Sequence, residues 1–241
     1  MKKLQELAQN WNISLSEKQI EQFQIYYEYL MEVNQVMNLT AITEKDEVIQ
    51  KHFLDSLSIV QLINFNQIEK IIDVGTGAGF PGIPLKIAFP HLQVTLMDSL
   101  NKRVKFLKET GEKIGVKDMT IIHSRAEELG KNKEHREKYD ICVSRAVANL
   151  STLSEYCLPF VRLGGYFISY KGNHISEESR EASHAIEKLG GKIEKQLEFQ
   201  LPESDIERTF VQVKKVKQTP NKYPRKAGMP AKEPLYLPPT S

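Results

Sequence analysis

The sequence has few of the features that mark secreted, membrane or metal-binding proteins. It contains two cysteines, Cys142 and Cys157, which form no C-x-x-C pair. Because both lie in apolar surroundings, we expect buried reduced thiols and no disulfide. The six histidines show no metal-ligand spacing, so no metal is expected. No apolar run reaches membrane length, and the start MKKLQELAQN lacks the apolar core of a signal peptide. We expect a cytoplasmic protein with no membrane partner.

Net charge is also small, at +2, but it is unevenly distributed. In residues 214–241, seven Lys or Arg residues stand against one acid, and six of the eleven prolines lie there too. This composition predicts an extended basic arm with little regular structure. An anionic partner explains the charge, and so does a solvated tail that only aids solubility.

The most informative stretch is 71–84, IIDVGTGAGFPGIP, in which an apolar run ends at an acid and four glycines follow within eight residues. The apolar run predicts a strand that is covered on both faces. Pro84, with Leu85 and Ala88 at helical spacing, predicts a helix after the loop. Glycines let backbone N–H groups approach a ligand closely. The unit is therefore a strand, a ligand-binding loop and a helix.

Two nucleotide-binding patterns overlap in this loop. The dinucleotide pattern G-x-G-x-x-G begins at Gly77, whereas D-x-G-x-G-x-G, which resembles motif I of S-adenosylmethionine methyltransferases, comprises Asp73, Gly75, Gly77 and Gly79. A pyrophosphate needs N–H donors and positive potential, but Pro81 removes one donor and Asp73 adds negative charge. The residues favour the cationic S-adenosylmethionine over NAD. A glycine turn that binds nothing is the simpler alternative.

Strands and helices alternate after the loop, which predicts a parallel sheet. The predicted strands after the first are 93–97, 119–123, 139–144, 165–170, 193–199 and 209–215. The last two have a short connection and must form a hairpin. Five parallel strands and a hairpin predict an α/β fold, the seven-stranded doubly wound fold of class I S-adenosylmethionine-dependent methyltransferases. The predicted domains are a helical extension (1–66), the methyltransferase core (67–216) and a basic Pro-rich arm (217–241).

The helical extension begins with a capping box. Ser16 and Gln19 have the required spacing, and apolar residues follow at helical intervals, so a long amphipathic helix is expected. Thr43 and Asp46 predict a second helix start before the segment 48–63.

Two further positions suit a nucleoside cofactor. Asp98 ends the second strand, 23 residues after Gly75, where a doubly wound fold places an acid on ribose hydroxyls. A helix N-cap explains Asp98 equally well. Residues 125–129, RAEEL, follow the third strand and are candidates to border the adenine, although a charged helix start explains Glu127 and Glu128 equally well.

Five segments of the chain together resemble one family. They are NLTAIT (38–43), KHFLDSL (51–57), DVGTGAGFPGIP (73–84), DSLNKRVKFL (98–107) and SRAVANL (144–150). By these segments the sequence is identified as a member of the bacterial small-subunit ribosomal RNA methyltransferase G family, also called glucose-inhibited division protein B. The resemblance covers most of the chain.

The resemblance implies transfer of a methyl group from S-adenosylmethionine to N7 of a guanine in the 530 loop of 16S rRNA. It implies cofactor contacts by Gly75, Phe80, Ala126, Glu127 and Arg145. Phe80 is explained equally well as a core residue, whereas Arg145 after the fourth strand is harder to explain by packing.

Guanine N7 carries no proton, so the reaction needs alignment and no general base. Arg145 is the candidate catalytic residue, through either the cofactor carboxylate or guanine O6. The candidate RNA-binding residues are Lys171, Lys222, Arg225 and Lys226. A small-molecule methyltransferase and a non-catalytic S-adenosylmethionine-binding protein share the loop and remain alternatives. The sequence indicates no oligomeric state.

Overall fold

The computed structural model describes residues 1–145, 148–172 and 175–236, which include a seven-stranded sheet of order β3-β2-β1-β4-β5-β7-β6. The strands are β1 Lys70–Val74, β2 Gln93–Asp98, β3 Met119–His123, β4 Tyr139–Ser144, β5 Val161–Lys171, β6 Gly191–Gln200 and β7 Glu207–Lys215. Strands β1 to β5 pair in parallel, and β7 lies antiparallel between β5 and β6. The predicted hairpin is confirmed.

Helices cover both faces of the sheet. The α-helices in the described ranges are α1 Lys2–Ala8, α2 Glu17–Met37, α3 Lys45–Val48, α4 Asp55–Leu57, α5 Gly82–Ala88, α6 Asn101–Ile114, α7 Ala126–Leu129, α8 Leu150–Cys157, α9 Ser176–Lys188 and α10 Met229–Lys232. None of them is long and apolar enough to cross a membrane.

Two apolar clusters, one on each face of the sheet, hold the helices against it. Ile71 and Ile72 are neighbours on β1, and because successive side chains of a strand point to opposite faces, each enters a different cluster. One cluster contains the N-terminal helices with α5 and α6, and the other contains α8 and α9. The α/β fold class and its N-terminal helical extension are confirmed.

The N-terminal helices pack directly on the sheet. Ser16 caps α2 as predicted, with its side chain accepting the Gln19 amide while Gln19 accepts the Ser16 amide. The second helical segment begins at Lys45, with Glu44 as its N-cap and not Thr43. It continues through a π-helix, Ile49–Leu54, into α4.

The C-terminal residues are packed on the core. We call residues 216–236 the C-terminal strap. It has little regular structure apart from α10, but Thr219 and Tyr223 are buried and Arg136 donates hydrogen bonds to the carbonyls of Thr219 and Tyr223 at 2.7 and 2.9 Å. The expectation of little regular structure is confirmed for these residues, but the expectation of an extended arm is wrong, because distant donors in the core satisfy the strap backbone. Residues 237–241 of the predicted arm lie outside the described residues. The predicted boundaries at 66/67 and 216/217 stay predictions.

Candidate functional site

The site lies where the winding of the sheet reverses. Crossovers lead from β1 outward to β2 and β3 on one side and to β4 and β5 on the other, and ligands of such sheets bind at the carboxyl ends of the strands at this point. A cleft of about 320 Å³ opens there, lined by the ends of β1, β2 and β4. Another cavity, of about 330 Å³, lies at the amino ends of the strands, next to Lys70 and Tyr139.

The glycine loop, residues 75–82, begins at the cleft, where Gly75 is part of the lining. Gly75 and Gly77 have φ of +72° and +62°, a region that side-chain-bearing residues rarely adopt, and an added Cβ at either would meet no described atom within 4 Å. Gly79 differs, since an added Cβ would lie 2.8 Å from the Tyr26 hydroxyl. Gly75 and Gly77 therefore face open space, while Gly79 allows close packing against α2.

Asp73 holds the loop from inside. Its side chain is fully buried, and Oδ2 accepts hydrogen bonds from the Thr76 hydroxyl at 2.7 Å and the Gly82 amide at 2.8 Å. Burial raises the pKa of Asp73 to about 6, against the lowering effect of those two donors. Among the described residues, Oδ1 has no hydrogen-bond partner.

Asp98 ties the glycine loop to the start of α6. Oδ2 accepts the Gly77 amide at 3.0 Å, and Oδ1 accepts the Leu100 amide at 2.9 Å. Arg103 pairs with the same carboxylate at 3.4 Å. The helix-capping interpretation of Asp98 is wrong, because the N-cap of α6 is Leu100 and no described side chain caps this helix. At 2% exposure the Asp98 carboxylate is mostly inside the protein.

These features fit S-adenosylmethionine. The glycine loop has two residues whose missing Cβ atoms leave room for a ligand, and the buried Asp73 Oδ1 is an acceptor that lacks a donor within the described chain. A cationic ligand suits an acceptor of this kind, whereas a pyrophosphate does not.

The far side of the cleft comes from α7, α8 and the C-terminal strap. Ala126 and Glu127, both predicted cofactor contacts, line the cleft here, and Gly75 lines it from the glycine loop. Leu153 and Tyr156 of α8 and Gly228 and Ala231 of the strap complete this wall. Glu127 is buried, and its Oε1 accepts the Gly228 amide at 2.8 Å.

Arg145 and Phe80 belong to a second group beside the cleft. Nη1 of Arg145 donates to Asp55 Oδ2 at 2.7 Å, and Arg208 donates to Asp55 Oδ1 at 2.8 Å. We call Asp55, Arg145 and Arg208 the arginine–aspartate cluster. The Arg145 guanidinium also lies over the Phe80 ring, 5.0 Å from its centroid. Asp55 is 1% exposed, so its charge is compensated almost entirely by these two residues.

His52 completes this group as a neutral side chain. It stacks on Phe80 with ring centroids 4.4 Å apart, and its Nδ1 lies 3.2 Å from Arg145 Nη2. Because a guanidinium only donates, Nδ1 accepts, and Nε2–H points to Thr40 Oγ1 at 2.8 Å. Burial and the Arg145 charge lower the pKa of His52 to about 3.

The four candidate RNA-binding residues divide into two kinds. Lys222 and Lys226 are exposed on the strap. Lys171 pairs with Glu178 at 2.6 Å, and Arg225 pairs with the buried Glu155 at 2.7 Å. The last two side chains therefore already have anionic partners within the protein.

Sequence reasoning missed three charged residues of the site. Asp55, Glu155 and Arg208 were not predicted, although an aspartate among Phe53, Leu54 and Leu57 on a buried helical segment is a signal of a paired charge. No cluster of three or more potential metal ligands occurs in residues 1–145, 148–172 and 175–236.

Known proteins resemble this chain along most of its length. Residues 19–207 match the family described as GidB, rRNA small subunit methyltransferase G. The ribosomal RNA small subunit methyltransferase G of Lachnoclostridium phytofermentans is 55% identical, with 92% of each chain covered. The protein of that name from Acetivibrio thermocellus is 55% identical, with 97% of this chain and 96% of its own covered.

A solved structure shows the same fold. TrmK from M. capricolum, in complex with the cofactor product S-adenosyl-homocysteine, is 19% identical, with a TM-score of 0.51 and coverage of 68% of this chain and 69% of its own. The curated relatives establish more than the fold, since at 55% identity they match more than nine-tenths of this chain. The chain belongs to the rRNA small subunit methyltransferase G family, and its methyl donor is S-adenosylmethionine.

Proposed function

We propose that the protein methylates N7 of one guanine in the 530 loop of 16S rRNA in the small ribosomal subunit, in the cytoplasm. Family membership supports the class of substrate, and the sequence resemblance supplies the guanine and its atom. The observation that carries the proposal is the glycine-lined cleft at the carboxyl ends of the strands, with Arg145 held beside it.

The cleft residues have distinct proposed roles. When bound, S-adenosylmethionine supplies an electrophilic methyl group on its sulfonium. Gly75 and Gly77 allow close backbone approach, and Asp73 Oδ1 offers an acceptor for a cationic group. Asp98 fixes the loop through the Gly77 amide, while Ala126, Glu127 and Tyr156 cover the nucleoside side against water.

The reaction needs orientation and no proton acceptor. Guanine N7 presents a lone pair, so what the protein supplies is alignment of that lone pair with the methyl group. Arg145 is the candidate residue for this task, because Asp55 and His52 fix its guanidinium over Phe80. Its proposed partner is the cofactor carboxylate or guanine O6, the acceptor next to N7.

The proposed RNA contacts come from the exposed lysines of the C-terminal strap. Lys222 and Lys226 are exposed and can reach phosphates, although the Lys222 ammonium lies over the Tyr223 ring, 5.3 Å from its centroid. Lys171 and Arg225 must first leave Glu178 and Glu155. A loop guanine is the accessible target, because it is not held by pairing and unstacking it costs only a few kcal/mol.

Small subunits that lack the modification test the proposal. They are incubated with the enzyme and methyl-labelled S-adenosylmethionine, and the RNA is then treated with borohydride and aniline, which cleave at 7-methylguanosine. We expect one new cut in the 530 loop. The cut should disappear with Arg145→Ala and persist with Arg162→Ala, a surface arginine that pairs with Asp140 away from the cleft.

The alternatives give different results. Label in a small molecule with uncut RNA favours a small-molecule methyltransferase. Cofactor binding without transfer to any acceptor favours a non-catalytic binding protein.

A further inference from the structure

The C-terminal strap is fixed to the core by buried polar groups. Lys215, fully buried at the end of β7, donates to the Leu158 carbonyl at 2.6 Å and to the Thr219 hydroxyl at 2.7 Å. Glu137 accepts the Thr219 amide at 2.8 Å. A basic segment that served only as a solvated tail has no need of such contacts.

The strongest attachment is an ion pair on α8. Glu155 is 1% exposed, and both of its oxygens accept from the Arg225 guanidinium at 2.7 to 3.1 Å. Its Oε1 also accepts the Arg225 amide at 2.8 Å. A bidentate pair with an added backbone hydrogen bond fixes both the position of Arg225 and the direction of the chain there. It therefore orients the residues that follow Arg225.

Those following residues reach the cofactor cleft. Gly228 donates its amide to Glu127, and α10 brings Ala231 to the edge of the same cleft. The carbonyl of Pro230 accepts the Thr152 hydroxyl at 3.0 Å, which fastens α10 to α8. The C-terminal strap, whose basic composition suggests an anionic partner, thus forms part of the cleft wall next to Ala126 and Glu127.

We propose that the C-terminal strap closes the nucleoside side of the S-adenosylmethionine site, and that the Arg225–Glu155 pair sets cofactor affinity by holding Gly228 and Ala231 in this wall. The inference rests on the proposed use of the cleft for the cofactor. Its physical basis is burial, because sites of this size gain affinity by enclosing the apolar surface of a ligand on all sides. Arg225 is a positioning residue and touches no reacting atom.

Calorimetric titration of the full chain with S-adenosylmethionine, without RNA, tests the inference. We expect Arg225→Ala to weaken binding by at least about tenfold, equivalent to about 1.4 kcal/mol. Lys217→Ala removes the same charge from an exposed position of the strap and should leave the affinity within about twofold of wild type.

A second pair of variants covers the case in which Arg225→Ala does not fold. Ala231 is exposed and lines the cleft, so Ala231→Trp should fold and should obstruct the nucleoside side, again with a loss of at least about tenfold. Lys232→Trp adds the same ring to the next residue of α10, outside the cleft lining, and should bind as wild type does. Circular dichroism confirms folding of each variant.

The two proposals fail in different ways. Absence of S-adenosylmethionine binding by the wild-type chain contradicts the use of the cleft itself. Wild-type binding with unchanged affinity in Ala231→Trp, and in Arg225→Ala if it folds, overturns the role of the strap and leaves the methyltransferase proposal standing.

Discussion

Two buried acids, Asp55 and Glu155, stabilise two regions next to the cleft in different ways. Asp55 joins three distant parts of the chain, because it receives Arg145 from the end of β4 and Arg208 from β7 while lying on the N-terminal helical segment. Glu155 joins α8 to the C-terminal strap alone. The arginine–aspartate cluster therefore supports both the fold and the candidate catalytic residue, whereas the strap pair supports one wall.

The largest expected effect comes from removing the shared acid. Asp55→Ala leaves two guanidiniums without their partner, and we expect a loss of about 3 kcal/mol in unfolding free energy, near the low end for a buried pair because both arginines keep some solvent contact. Methylation should be abolished, since Arg145 loses its orientation. Urea denaturation and the RNA cleavage assay measure the two effects.

Asp46→Ala is the matched control for Asp55→Ala. Asp46 lies on the same helical segment and pairs with Lys3 at the surface, so its removal should cost at most about 1 kcal/mol. Equal losses in the two variants contradict the importance of the buried cluster.

The next prediction concerns the glycine loop. Gly77→Val should abolish S-adenosylmethionine binding, because it places a branched side chain in the open space before the loop and forces valine into a left-handed backbone conformation. Gly115→Val imposes the same strain, about 1–2 kcal/mol, at the end of α6, where φ is +65°. Calorimetry should show binding lost only in Gly77→Val; loss in both points to strain alone.

The fold could be predicted because its signals are local. Alternation of strands and helices, and the short connection between β6 and β7, sufficed for the seven-stranded sheet. The role of Asp73 was beyond this reasoning. Its place after Ile72 indicates the face of the sheet, but only the path of the loop shows that the Gly82 amide returns to its carboxylate.

The C-terminal strap shows a different limit. Composition counts charges but does not identify their partners, and the partner of Arg225 lies 70 residues away on α8. The same holds for Arg136, which satisfies strap carbonyls more than 80 residues later in the sequence. Contacts at this range depend on the whole fold, so a segment rich in Pro and Lys was predicted to be extended.

A smaller effect, on the pH dependence of stability, is expected from His52, the neutral histidine next to the arginine–aspartate cluster. Protonation of His52 is opposed by burial and by the charges of Arg145, Arg208 and Lys51, so its folded pKa is about 3, below its ordinary value of 6.5. The unfolded chain therefore binds the proton first, and stability falls as pH drops from 6.5 towards 3. The slope should approach about 1.4 kcal/mol per pH unit.

The variant His52→Gln isolates this contribution. Asp73, whose folded pKa is raised to about 6, acts in the opposite direction, but it is present in both proteins and cancels in their difference. Urea denaturation between pH 7 and pH 4.5 should show the wild type losing stability relative to His52→Gln. Parallel curves contradict a neutral His52.

The smallest effect concerns the exposed lysines of the strap. Lys226 lies two residues from Gly228 at the cleft, so RNA that reaches the cleft should pass over Lys226 and Lys222. In the double variant Lys222→Gln/Lys226→Gln, the slope of log binding constant against log salt should fall by about 1.4, since each phosphate contact to single-stranded RNA contributes roughly 0.7. Cofactor affinity should not change, because both side chains are exposed and neither lines the cleft. The control, Lys70→Gln/Lys138→Gln, removes the same charge beside the cavity at the amino ends of the strands and should leave the slope unchanged. Equal slopes in the two double variants would mean that net charge, and not the position of the strap, governs RNA binding.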